Sequence, residues 1–181
     1  MSVFDLWLPI LAAGLATHVM STLAWTVLPH HKPEWKKFPQ EDKLLGLIDE
    51  GAVPAEQYIF PHAADAEEMK SEEFQQKQQK CRGTLILWPS PINMGAAIGK
   101  TLAFFFIAAF CIGYVASLAV EPGATFFRVF RVVATVALLT HCFGIFPNVF
   151  WFKQKVLLDL ADKVAYALAT GLIFAALWPS A

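Results

Sequence analysis

The sequence predicts a mainly α fold, a bundle of four transmembrane helices with a small cytoplasmic α/β insertion between the first and second. Three observations predict it. Hydrophobic residues make up 56% of the 181 and charged residues 16%, whereas soluble domains run near about a half and a quarter. Four windows, residues 6–31, 101–120, 132–152 and 164–181, hold 85 residues and not one Asp, Glu, Lys or Arg. The stretch 32–93 between the first two windows is polar and broken by prolines. A net charge of −1 excludes a nucleic-acid-binding surface built on bulk charge. High apolar content with small net charge also excludes a disordered chain.

A hydrocarbon layer of about 30 Å takes about 20 apolar residues as a helix. Three windows meet that length, and the fourth reaches it by including Asp162 and Lys163. The spans are expected near 5–29, 96–120, 126–151 and 156–178. A cleaved signal peptide is disfavoured at the start, because Met1–Asp5 lacks Lys and Arg and the apolar run is too long. Eight Lys and Arg lie between Lys32 and Arg82. The positive-inside rule then places residues 32–93 in the cytoplasm and both termini outside, in a cell inner membrane. Trp7, Trp25, Trp88, Trp151 and Trp178 fall near helix ends, where aromatic belts sit. The chain divides into 1–31, the first span; 32–93, the insertion; and 94–181, the remaining three spans.

Within the insertion, Leu44, Leu45, Leu47 and Ile48 predict an amphipathic helix over Glu41–Glu50, stopped by Gly51 and Pro54. Tyr58–Phe60 reads as a strand ended by Pro61, and Thr84–Trp88 as a second strand. Ala63–Lys80 reads as one exposed helix. A unit this small buries little core by itself, so it is expected to lean on the bilayer or a partner. No phosphate loop, zinc-protease helix or nucleophile elbow occurs. His30, His31 and His62 lack a metal spacing, so no metal site is expected, and interfacial solvation explains His30 and His31. Cys81, Cys111 and Cys142 read as inert thiols without a disulfide.

Ionisable groups inside the apolar windows are the functional leads, because each costs about 2.5–3.5 kcal/mol to insert. His18 and His141 fall near mid-bilayer on the first and third helices. One reading makes them axial ligands of a haem or another metal. A second makes His18, His141 and Asp162 a proton relay. The plainest makes each histidine neutral and hydrogen-bonded to a hydroxyl on a neighbouring helix. Gly95-x-x-x-Gly99 gives the second helix a small-residue edge for close helix packing. Arg128 and Arg131 stand one turn apart, suited to lipid headgroups or to pairing with Glu121.

Several short motifs run along the chain: Trp7-Leu8-Pro9-Ile10, Leu28-Pro29, His31-Lys32 and Lys36-Lys37. Tyr58-x-x-Pro61, Met94-Gly95, Asn148-x-x-Trp151-x-Lys153 and Trp178-Pro179 continue the series. Together they resemble a group of small bacterial multi-pass membrane proteins of unknown function. The resemblance implies the topology and a bacterial origin, and carries no catalytic residue. The expected function is that of a non-catalytic accessory or assembly subunit of a membrane complex, with the bilayer and other membrane subunits, or a second copy, as partners. A small proton-coupled transporter and a haem-binding redox protein are the alternatives.

Overall fold

A computed structural model describes residues 1–180. The chain is mainly helical and forms two compact units, one from Met1–Lys36 with the described part of Met94–Ala181, the other from Lys37–Asn93. Residues 32–36 therefore fold with the helical unit, which moves the boundary a few residues beyond the sequence expectation.

In the helical unit, Ser2 starts the chain with a reciprocal cap: its hydroxyl accepts from Phe4 N–H while Asp5 accepts from its own N–H. One 3₁₀ turn, Val3–Leu6, leads into α1, Trp7–Thr26. The long helices α5 (Met94–Ala119), α6 (Phe126–Cys142) and α8 (Leu157–Ala176) complete the unit. Helix α1 packs on α5 and α8, and α6 packs on the same two. The expected single helix over 126–151 is interrupted. Phe143–Ile145 tightens into a 3₁₀ turn before a short helix α7, Phe146–Trp151. Pro147 lies in the first turn of α7 and has no N–H to continue the α ladder.

Three stretches, Val3–Thr26, Met94–Ala119 and Phe126–Trp151, are long and apolar enough to cross a membrane. Helix α8 is 20 residues long, but Asp159, Asp162 and Lys163 load its first two turns. Many interior side chains are small or branched, with Ala13, Ile112, Ala116, Val129, Val133, Ala137 and Ala167 fully buried, and Phe174 is buried among them. The outside carries larger ones, with Leu8, Leu11, Leu15, Val19 and Leu23 exposed along α1. This inverted arrangement suits a lipid solvent, which gives leucine no reason to turn inward.

Close helix approach falls at Gly14, Gly113 and Gly171. A Cβ on Gly171 would sit 2.9 Å from that of Ala134 and 3.0 Å from the Phe130 ring, so α6 and α8 meet there in backbone-close contact. Gly95 and Gly99 are exposed, and a Cβ on Gly99 would meet no side chain or neighbouring helix within 4 Å.

The second unit begins with α2, Glu41–Glu50, with Gly51 at its C-cap. Strands β1 (Gln57–Phe60) and β2 (Gly83–Ile86) pair antiparallel, with Gln57 opposite Ile86 and Phe60 opposite Gly83. The polar stretch between them forms two helices where one was expected, α3 (Ala66–Lys70) and α4 (Glu72–Lys80). Ser71 divides them. Its backbone is extended, and its hydroxyl accepts from Phe74 N–H to cap α4, an alternative that serine offers the backbone in place of a continued helix. Asp65 caps α3 in the same way through Glu67 and Glu68 N–H.

Candidate functional site

Pro29 follows the end of α1, and the chain turns so that His30 and His31 face the second turn of α8. Residues 32–34 form a 3₁₀ turn with Pro33 in it, and this brings Glu34 back beside His31. The Asp162 carboxylate receives both histidines. His30 Nε2 lies 3.1 Å from each of its oxygens, and His31 Nε2 lies 2.8 Å from Oδ2. On the other edge of the His31 ring, Nδ1 is 2.7 Å from Glu34 Oε2. Trp25, on the last turns of α1, stacks on His31 with ring centres 3.9 Å apart and planes 4° from parallel. Lys155 donates to Pro33 O at 3.2 Å and fastens the turn to the segment before α8.

His31 is 4% exposed. This corrects the expectation that interfacial water solvates it: carboxylates take the place of water. Both of its ring nitrogens face acceptor-only groups, so both carry hydrogen and the ring is an imidazolium. Burial lowers the His31 pKa, but hydrogen bonds and charge from Glu34 and Asp162 outweigh it and hold the group above its ordinary 6.5. The two Nε2 atoms and a carboxylate oxygen of Asp162 lie within 4.8 Å of one another. Among the described residues, no other group of three histidine, cysteine or acidic side chains gathers in this way.

The other expected site residues lie deeper in the helical unit. His18 and His141 do not touch Asp162. Each instead makes a ring contact with Phe105, at 6.3 and 6.2 Å between ring centres. His141 also meets Tyr166 edge-on at 6.4 Å. His18 Nδ1 and the Tyr166 hydroxyl are buried without a hydrogen-bond partner. Ser21 is within reach of that hydroxyl, but the geometry falls short of a bond. Thr17 and Thr170 donate to Ala13 O and Tyr166 O of their own helices, each at 2.8 Å. The plain reading of His18 and His141 as hydroxyl-bonded is not what the geometry provides.

A cavity of about 450 Å³ opens beside His141, lined also by Ser21, Phe105, Asn148 and Tyr166. At its rim Lys163 donates to Asp159 at 2.6 Å, closing an ion pair one turn apart on α8. Arg128 and Arg131 make no ion pair among the described residues.

Sequence reasoning named Asp162 together with His18 and His141, and it set His30 and His31 aside. The available signal was local: two adjacent histidines with a glutamate three residues after the second, at the end of an apolar helix. The partner that completes the group stands 131 residues further on, and no spacing rule reaches it. No family model, no curated protein and no solved structure matches this chain.

Proposed function

We propose that the chain is a multi-pass protein of a bacterial inner membrane that serves as a non-catalytic accessory or assembly subunit of a larger complex. In this reading α8 is a fourth span beside the three apolar helices, residues 32–93 are cytoplasmic, and both termini are outside. Pairing of Asp159 with Lys163 lowers the cost of carrying those charges at the start of a span.

The observation that carries the subunit reading is the surface of the second unit. Phe74 is its one buried side chain among the described residues. Leu45 and Leu47 of α2, Ile59 and Ile86 on one face of the strand pair, and Trp88 are all more than half exposed. A soluble unit that leaves so much apolar surface bare is built to be covered. The test is extraction from native membranes in mild detergent, followed by mass spectrometry of the intact assembly. A fixed stoichiometric set of other chains is expected. A clean homo-oligomer would overturn the accessory role.

A second reading, proton-coupled transport through His18, His141 and Asp162, draws on the cavity that His141, Tyr166, Asp159 and Lys163 help to line. It predicts that His141→Ala abolishes pH-dependent flux into liposomes, and unchanged flux removes it. The haem alternative stands or falls on a Soret band in the purified protein.

A further inference from the structure

We propose that His30, His31 and Asp162 form a binding site for one divalent transition-metal ion of the zinc class, with Glu34 as the positioning residue behind His31. The donor set is two imidazole nitrogens and one carboxylate oxygen, the chemistry that such ions select over calcium or magnesium. The donor atoms already converge. A tetrahedral zinc with ligand bonds of about 2.0–2.1 Å holds its ligand atoms about 3.3 Å apart. The observed separations of 3.1 and 2.8 Å between the imidazole nitrogens and the Asp162 oxygens need to widen by only a few tenths of an ångström.

The surroundings argue the same way, independently of the donors. Metal-bound histidines hand their second N–H to a carboxylate, which fixes the tautomer and the ring plane. Glu34 does this for His31 at Nδ1, and so leaves Nε2 as the coordinating atom on the side of Asp162. Trp25 holds the ring flat from one face, so the imidazole is oriented before any ion arrives. Three protein donors leave a fourth position for water or a partner's side chain. The ion has a way in, since the His30 and Asp162 side chains keep 27% and 17% of their surface exposed. On binding, the metal takes the place of the Nε2 protons, which leave to solvent. Bound by His30 and His31 on one side and Asp162 on the other, the ion ties the end of α1 to α8.

Cobalt(II) tests this directly, because its visible absorption reports coordination number. The full chain, carrying no histidine tag, is stripped with chelator in detergent and titrated with Co²⁺ and then with Zn²⁺. One Co²⁺ per chain is expected, with the intense visible bands of a four-coordinate site, and stoichiometric Zn²⁺ should bleach them. His30→Ala and Asp162→Asn should each weaken binding by tenfold or more. His30 is partly exposed, and its removal leaves the Trp25–His31–Glu34 group intact, so the folded His30→Ala protein is the decisive variant. Glu34→Gln should keep the four-coordinate spectrum while losing roughly ten- to hundredfold in affinity. His18→Ala should change nothing. The proposal fails if no Co²⁺ is retained, if the bands are those of six-coordinate ion, or if folded His30→Ala binds as tightly as the parent chain.

Discussion

Both units of this chain expose large apolar side chains, and the reasons differ. In the helical unit the leucines of α1 are exposed while alanine, valine, Ile112 and Phe174 fill the interior. Lipid is the solvent, so bare leucine costs nothing there. In the second unit the exposed Leu45, Leu47 and Trp88 stand over a single buried phenylalanine, with α2 and the strand pair as the only scaffolds that present them. Exposure of one residue type thus fits a bilayer around the apolar helices, while in the second unit it marks a bare apolar surface over almost no core.

Four substitutions and a pH series break or sharpen that comparison. The largest effect is expected from Phe174→Ala, which empties a fully buried position of the helical core. It should cost about 3–5 kcal/mol in unfolding measured in detergent, while hydrogen exchange in residues 37–93 stays unchanged. Spread of the effect into the second unit would mean that the two do not open independently. Next is Leu15→Lys. This exposed α1 position should lose about 2.5–3.5 kcal/mol of apparent insertion free energy. A neutral outcome in a membrane-insertion assay would remove lipid from its surroundings.

Asp162→Asn should destabilise the metal-free protein by about 1.5–3 kcal/mol, because it removes charge-assisted bonds to two histidines. The same group gives a pH dependence. With the folded His31 pKa above its ordinary 6.5, the folded state binds the proton more tightly than the unfolded one. That stabilisation is complete below pH about 6.5 and fades as pH rises through the folded value. Metal-free stability should therefore fall across that window, and the slope should flatten in Asp162→Asn. The smallest effect is Leu47→Lys, expected within about 0.5 kcal/mol on folding. Its consequence should appear in the intact-mass experiment as loss of the partner. Wild-type assembly in that variant would place the contact elsewhere on the unit.

Much of the local structure was legible. Absence of charge marked the three apolar helices, because a single helix must satisfy its own environment along its whole length. The amphipathic spacing of Leu44, Leu45, Leu47 and Ile48 gave α2 to the residue, and β-branched and aromatic runs bounded by proline gave both strands. The misses have local causes as well. Ser71 offers its hydroxyl to the next turn and splits a polar helix, and Pro147 tightens the end of α6. Both signals are in the sequence, but they compete with a periodicity that looked continuous.

The sequence by itself located the long apolar helices, of which three are apolar enough for a membrane, and determined that the polar insertion is too small to bury much core. Only the tertiary structure decided what Asp162 faces. Periodicity fixes which residues share one face of a helix, but in α1, uncharged and with scattered Thr, Ser and His18 as its polar groups, it marks the rotation only weakly. Its close contacts at Gly14 and Ile10 and the turn through Pro29 and Pro33 set that rotation. They bring His30 and His31, rather than His18 and His141, to the carboxylate on α8.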